Sequence, residues 1–584
     1  MSEKNVVLNP AKKNRRKLLR SIAQFVIVVF LAVILIRVVF LTEKKEEETV
    51  PLINKDGFIA LSYFGVSRND SPKYVSRKNL EKQLELLEGQ GYKTITQQDI
   101  LDFYEKKKPL PEKALFLSFE DGRTDSSIFA QNIMEELNYK ATMFTYANKM
   151  DTRDNKFLKP KDLLLMQKSG FWELGSNGYR LTYINIYNDQ GQSLGMIDEN
   201  DVPNKTTIEY YNHYLMDFIR NQFMIPSETR KEMETRIKKD YKLMHDIYEE
   251  KLDEVPKAYA IMHANALYNN MDPLVESIND TEIKNTFRMH FNLELGAYNN
   301  KDADLYNLSR LQVSPYWSTN HVMMKIRQAS KQNVAFEVGD AQQAKKWSII
   351  NGAAEFKNNE IIITSAPSSE GRIILKDALP NQYNVNFAFK GNVVGQQSLY
   401  LNYDEKSNSY IRIALIDNEI VVSEKLPGAS VVEKERLQLN DIKWDEEQYA
   451  FNKATVYNYQ DTQKGSRIDE DEYPRNLTQK RVFNIAVNKD KIEINVDDVL
   501  SKTIKVNPVI NGTQSIGIGA MYSKKDTTHE QYADDIYDTL IDDLLITDGN
   551  KTTLFSNQYT NFDKVKYKTT TLFNNVVDFF IETF

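Results

Sequence analysis

The chain has 584 residues, about four times a typical ~150-residue domain, so several folding units are expected. With 41% hydrophobic and 27% charged residues it has the composition of a globular protein, which excludes a disordered chain, a collagen and a polytopic membrane protein. Cysteine is absent, which removes disulfides, thiol catalysis and cysteine-ligated metals, and the net charge of −7 argues against nucleic acid as a partner.

The charge is unevenly placed. Residues 1–20 carry seven Lys and Arg against the single acid Glu3, a surplus of +6, so the remainder carries −7 − 6 = −13. Residues 21–41 (SIAQFVIVVFLAVILIRVVFL) follow as a 21-residue apolar run, close to the ~20 needed to cross a bilayer as a helix. Arg37, near its far end, can reach the interface. Residues 1–20 are expected to stay in the cytoplasm as a basic tail, with 21–41 as an uncleaved anchor and the bulk outside the cell. A cysteine-free ectodomain suits a Gram-positive surface. Residues 42–56 are a charged linker.

From Gly57 strand-like and helix-like runs alternate. GFIALSYF is a strand, Arg77 to Gln90 a helix, YKTI a strand and ILDFYEKK a helix. ALFLSF, IFAQNIMEEL and ATMFTY then read as strand, helix and strand. This alternation predicts a parallel sheet or barrel whose working face lies at the carboxyl ends of the strands. A polar stretch, about 204–254, interrupts it as a helical insertion, with helices expected over Ile208–Gln222 and Ser227–Lys251. The pattern resumes at AYAIMH and ends near residue 332.

Residues 336–548 consist of short alternating or β-branched runs separated by turn residues, the pattern of an antiparallel β-sandwich. Trp347 and Trp444 there are candidates for stacking on sugar rings, with burial in the core as the simpler reading. Asp534, Asp535, Asp538, Asp542 and Asp543 are oxygen donors of the kind calcium takes, with a solvated acidic edge as the alternative. In residues 563–584, Leu572, Phe573, Val576, Val577, Phe580 and Phe584 recur at three- and four-residue spacing. They predict an amphipathic helix, docked on protein or lying on the membrane.

Several pieces, in order, resemble the polysaccharide deacetylase (NodB-homology) superfamily, carbohydrate esterase family four. They are ALSYFGVS, YVSRKNLEKQLELLEGQGYKTIT, LPEKALFLSFEDG, YKATMFTY, LKPKDLLLMQKSGFWELGSNGY and LSRLQVSP, spanning about Gly57 to Ser330. The resemblance implies a deformed (β/α) barrel of about seven strands. It also implies a divalent metal, such as zinc, that polarises an N-acetyl carbonyl and activates water. The 336–548 segment resembles concanavalin-like or laminin-G-like jelly rolls, many of which bind glycans.

Carried residue by residue, the resemblance makes Glu120 the base and Asp121 a metal ligand, where the family normally has two aspartates. The extra methylene of Glu120 shifts its carboxylate, and a displacement of about 1 Å can cost about 100-fold in rate. The two histidine positions of the metal motif hold Asn177 and Leu181, and an aliphatic side chain cannot ligate a cation. Asp121 is thus the one retained family ligand, and no bound cofactor is expected unless other ligands have taken over. The aromatic–His pair of the first strand reads Tyr63-Phe64, the arginine–proline element has no clear match, and His263 stands in its neighbourhood.

Two readings follow. In one, Asn177, Tyr179, Arg180 and His263 line a substrate groove around an inert Glu120 and Asp121, and the chain is a glycan-binding scaffold for exopolysaccharide synthesis or export. In the other, Glu120 and Asp121 still support hydrolysis, as an atypical deacetylase or as a glycosidase pairing Glu120 with Glu173. The second acid of that pair has a simpler use, holding loop or helix-start amides.

Overall fold

A computed structural model describes residues 52–559, apart from isolated positions and the stretches 202–207, 391–394, 440–454, 457–479, 508–513 and 523–533, together with 568, 569 and 572. The 21–41 segment, His263, Trp444 and most of the 563–584 segment lie outside the described residues. Among the described residues no helix is long and apolar enough to cross a membrane.

The first unit is built on a parallel sheet. Its strands are β1 (Gly57–Tyr63), β2 (Ala114–Phe119), β3 (Ala141–Tyr146), β4 (Trp172–Gly178), β8 (Ala258–Tyr259), β9 (Met289–Leu293) and β10 (Leu308–Ser309), each hydrogen-bonded to the next. The strand β11 (Leu311–Gln312) pairs back onto β1, so the sheet is a nearly closed barrel. Every residue of β1, β2 and β3 is buried, as expected of strands covered on both sides. Outside the sheet pack α1 (Arg77–Gly89), α2 (Gln97–Lys106), α3 (Thr124–Leu137), α4 (Pro160–Ser169), α5 (Arg230–Leu252), α6 (Pro273–Thr286) and α7 (Thr319–Ser330). The start of α2 shows why the chain turns there. Thr96 and Asp99 form a capping box, and Glu173 on β4 accepts the free amide of Gln97 at 2.8 Å.

The insertion departs from expectation. Where a helix was predicted over Ile208–Gln222, the chain forms an antiparallel sheet in which β5 (Thr182–Asn188) lies between β6 (Ser193–Asp198) and β7 (Ile208–His213), followed by turns. Ile208, Tyr211, Leu215 and Phe218 keep helical spacing and are all buried, but in two places. Ile208 and Tyr211 cover the barrel mouth, while Leu215 and Phe218 join the main core. The second predicted helix is present as α5.

The second unit is a pair of antiparallel sheets. One contains β12 (Trp347–Asn351), β13 (Gly371–Leu375), β14 (Gly395–Asp404), β15 (Ser409–Ile416), β16 (Glu419–Lys425), β17 (Val432–Gln438) and β18 (Ser515–Tyr522), in the order β12-β13-β18-β14-β15-β16-β17. The other includes Glu360–Thr364, Tyr383–Lys390, Arg481–Val487, Lys491–Val496 and Asp538–Asp548. Inward-facing residues of both sheets, among them Ile373, Leu399, Ile413, Val385, Phe483 and Ile541, form one core. Trp347 belongs to that core, 3% exposed and edge-on to Phe555, so it is a packing residue and not a sugar platform.

The two units meet at α7. His321 stacks on Trp317, with ring centroids 4.6 Å apart. Its ring nitrogens lie 2.8 Å from Asp534 and 3.0 Å from Asp538. Lys325 adds an ion pair to Asp534 at 2.7 Å, and Gln328 donates to Asp535 at 2.9 Å. Asp542 is bound by Lys480 and Asn359. Of the acids offered for calcium, these four are therefore engaged by cations and amides of the protein itself. Among the described residues no group of three or more metal-donor side chains converges.

Candidate functional site

The site lies at the carboxyl end of β2, where the strand runs straight into Glu120 and Asp121. Asp121 has φ 67° and Gly122 φ 61°, so the chain turns sharply through left-handed conformations. Gly122 is needed for space as well, because a Cβ there would come within 3.0 Å of the Thr145 methyl.

Glu120 is fully buried and accepts from three directions. Arg310 Nε donates to Oε1 at 2.7 Å and Nη2 to Oε2 at 3.1 Å, while the Ser62 hydroxyl donates to Oε1. Arg310, also fully buried, donates from Nη1 to the Phe291 carbonyl at 3.0 Å, and its Nη2 is shared with Glu294 at 3.3 Å. Burial alone would weaken the guanidinium's hold on its proton. The Glu120 and Glu294 carboxylates more than offset that and raise its pKa. Arg310 sits between β10 and β11, in the segment that closes the barrel.

Asp121 is held differently. Lys149 Nζ lies 2.5 Å from Oδ1, and Arg123 Nη1 lies 3.7 Å from Oδ2. Burial pushes the Asp121 carboxyl above the usual carboxylate range, against the pull of Lys149. Lys149 comes from the single turn Ala147–Lys149 directly after β3. It stands over the rings of Tyr146 and Phe157, and also 3.7 Å from Glu199 of the insertion.

Asn177 is brought to Asp121 as the motif alignment expects. Its Oδ1 accepts the Asp121 amide at 3.0 Å and its Nδ2 donates to the Ala260 carbonyl at 2.6 Å. Leu181 instead joins an apolar cluster with Tyr146, Tyr183, Ile186, Ile208, Tyr211 and Met262. This cluster lies where β3 and β8 end, so the inserted sheet plugs the barrel face on which the resemblance places catalysis.

The divalent cation that the resemblance implies does not fit these residues. One oxygen of Asp121 is covered by an ammonium, the Asn177 amide is spent at both ends on the backbone, and Leu181 has no donor atom.

Other predicted groove residues are elsewhere. Arg180 lies 3.4 Å from Asp240 of α5, with its guanidinium over the rings of Tyr179 and Tyr214, so both Tyr179 and Arg180 turn towards the helical flank. Burial raises Asp240 to about 6, with Arg180 acting in the opposite direction. Glu173 is at the opposite end of β4 from Asn177, which removes it as an acid partner for Glu120.

Sequence reasoning missed Arg310 and Lys149. Arg310 was visible as the one charge inside the apolar LSRLQV run, and Lys149 as a cation three residues past the ATMFTY strand.

Residues 107–259 match the family model described as polysaccharide deacetylase. A curated relative, "Putative polysaccharide deacetylase YxkH" of Bacillus subtilis (strain 168), is 31% identical over 106 residues, which is 18% of this chain and 37% of the relative. The match thus spans well under half of that relative. Among solved structures, a de-N-acetylase from Aggregatibacter actinomycetemcomitans is 19% identical with a TM-score of 0.36, covering 46% of this chain and 98% of its own. The carbohydrate binding module CBM66 from Bacillus subtilis is 9% identical with a TM-score of 0.22, covering 34% of this chain and 94% of its own. Over residues 107–259 the chain is accordingly similar to polysaccharide deacetylases, and this stretch lies within a larger multidomain chain.

Proposed function

We propose that this chain holds a polysaccharide at the cell surface without deacetylating it. On this reading the 21–41 segment anchors it in the membrane, the deacetylase-type barrel is a retained framework, and the C-terminal sheets form a lectin-like module. Its partners would be an exported or surface polysaccharide and the machinery that makes or exports it. The observation that carries the reading is the Lys149–Asp121 contact. An ammonium of the protein supplies the positive charge beside the single retained ligand, so among the described residues the water-activating ion of the family has no converging set of carboxylates or imidazoles to bind. The apolar plug supports the same view, since it fills the face where substrate would enter.

The test pairs two measurements on the full-length chain. Acetate release from an N-acetylated amino-sugar polymer, with zinc supplied, is expected to stay at the level of a Glu120→Gln variant. Polysaccharide binding is expected to survive Glu120→Gln and Asp121→Asn. Acetate release that disappears with Glu120→Gln would overturn the proposal.

A further inference from the structure

In a parallel barrel every strand starts at the same end, opposite the mouth. On one side of that end four pieces of chain are joined. The strand Leu52–Asn54 pairs with Leu110–Pro111, the Lys93 amide donates to the Lys113 carbonyl at 2.9 Å, and the Lys140 amide donates to the Thr94 hydroxyl at 2.8 Å. These contacts gather Lys55, Lys93, Lys107, Lys108, Lys113 and Lys140 on one surface, with Asp56 and Glu112 among them.

The positive charge here is only partly answered by the protein. Asp102 is shared by Lys108 and by Lys106, the latter at 2.8 Å, and Lys93 lies 3.9 Å from Glu88. Glu173, near Lys140, is a weak counter-charge, since burial pushes its carboxyl above the usual range. Among the described residues Lys55, Lys107, Lys113 and Lys140 have no carboxylate at ion-pair distance. Further round the same end the charges balance or turn acidic. Lys301 shares its loop with Asp302 and Asp304, Lys257 follows Asp253 and Glu254, and Arg288 is paired with Glu105 at 2.7 Å.

Two exposed apolar side chains complete the surface. Leu52 is 55% and Ile53 61% exposed. They are consecutive on a strand, so they point to opposite faces of the ribbon and neither is covered. Lysines around exposed apolar side chains are suited to an anionic bilayer surface. The ammonium groups meet lipid phosphates while the lysine stems and apolar groups enter the headgroup layer.

The path of the chain brings such a surface within reach. Ten residues, 42–51, separate the apolar 21–41 segment from Leu52, and fully extended they span at most ~36 Å.

We propose that the barrel rests on the membrane through this surface, with Lys55, Lys107, Lys113 and Lys140 on anionic phospholipid headgroups and Leu52 and Ile53 entering between them. The inference rests on the anchoring proposed above for residues 21–41. It adds an orientation, in which the carboxyl ends of the strands face away from the bilayer.

The chain has no cysteine, so an introduced one carries a single fluorophore. Full-length protein labelled at Ile53→Cys, or at Gln190→Cys between β5 and β6, is reconstituted in phosphatidylcholine vesicles with or without phosphatidylglycerol. A trace lipid bears a headgroup quencher, and circular dichroism confirms that each variant folds. Phosphatidylglycerol is expected to raise quenching at Ile53→Cys at least about threefold and to leave Gln190→Cys unchanged. The rise should disappear at 1 M salt, where the Debye length is about 3 Å. Lys107→Glu, Lys113→Glu and Lys140→Glu together should abolish it, whereas Lys231→Glu, Lys238→Glu and Lys239→Glu on α5 should not. Quenching at Ile53→Cys that ignores lipid charge, or is lost equally in both triple variants, would overturn the docking and leave the anchor standing. Quenching that instead responds to Glu46→Gln, Glu47→Gln and Glu48→Gln in neutral vesicles would give the surface to the linker's own acids and also overturn it. A chain stripped from the vesicles by alkaline carbonate would overturn both anchor and docking.

Discussion

Lys149 Nζ stands 2.5 Å from Asp121 Oδ1, which makes the position that the resemblance gives to a metal ligand one half of an internal ion pair. The consequence for metals is direct. Titration calorimetry of the full-length chain with zinc should show no one-to-one event at this site. Lys149→Met should not create one, because Asn177 and Leu181 still supply no imidazole. That variant should instead unfold more readily by about 3 kcal/mol, since it leaves a buried carboxylate without its closest cation. A stoichiometric zinc event in the wild type, lost in Asp121→Asn, would reverse the assignment.

Arg310 and Glu120 form the most deeply buried ion pair of the barrel, both side chains being 0% exposed. Arg310→Met is expected to destabilise the barrel by about 3–5 kcal/mol, because Glu120 keeps its desolvation cost without its partner. Adding Glu120→Leu should recover much of the loss, since two apolar side chains need no counter-ion. Urea denaturation of the wild type and the three variants checks this. A single variant as costly as the pair is broken, with no recovery in the double variant, would mean the residues act independently.

His321, between Asp534 and Asp538, gives the junction of the two units a defined pH response. Burial alone would lower its pKa, but the two carboxylates outweigh it and the imidazole is pushed up to about 9. A group raised from an unfolded value near 6.5 stabilises fully below about pH 6.5 and loses its contribution as the pH climbs to about 9. Asp534 is lowered, burial being overcome by His321 and Lys325, so its own contribution is present above its unfolded value near 3.9 and fades only in acid. The two shifts describe one contact and are not summed. Thermal melts of the wild type and His321→Gln should differ most between about pH 4 and 6.5 and converge near pH 9. A gap that widens with rising pH would contradict the charged imidazole.

The inserted sheet that fills the barrel mouth should behave as a unit. Tyr211 is 1% exposed and packs edge-on to Tyr183, with centroids 4.7 Å apart. Tyr211→Ala is expected to cost about 3–5 kcal/mol locally. Hydrogen exchange should quicken over Thr182–Asn188 and Ile208–His213 while the C-terminal sheets stay unchanged. Unchanged protection of these strands would show that they do not depend on this contact.

Barrel strands β1, β2 and β3 were readable because they are nearly all apolar, and the C-terminal strands because apolar and polar residues alternate; β4 and β9, with their Glu, Asn and His, were not. The inserted sheet was not readable either. Its β5 and β6 carry Asn, Asp and Gly, and the spacing of Ile208, Tyr211, Leu215 and Phe218 imitates a helix while serving two different cores. The edge strand Val432–Gln438 was also missed, since an edge is kept charged to deter pairing with other chains and so lacks alternation. At the site, sequence placed Glu120, Asp121 and Asn177 together but could not reveal Lys149 or Arg310, whose roles depend on the ends of two other strands. Of the five aspartates weighed for calcium, Asp534 and Asp538 face a histidine more than 200 residues earlier in the chain.

The barrel is completed by a five-residue segment, Leu308–Gln312, in which Leu311 is registered with Leu61, 250 positions earlier. A nascent chain therefore has to expose nearly the whole barrel-forming sequence before its first strand can acquire that neighbour. Pairing over such a span is slow and leaves sheet edges uncovered meanwhile. Emergence of Arg310, which brings the counter-charge for Glu120, then marks the moment at which the barrel can lock during synthesis.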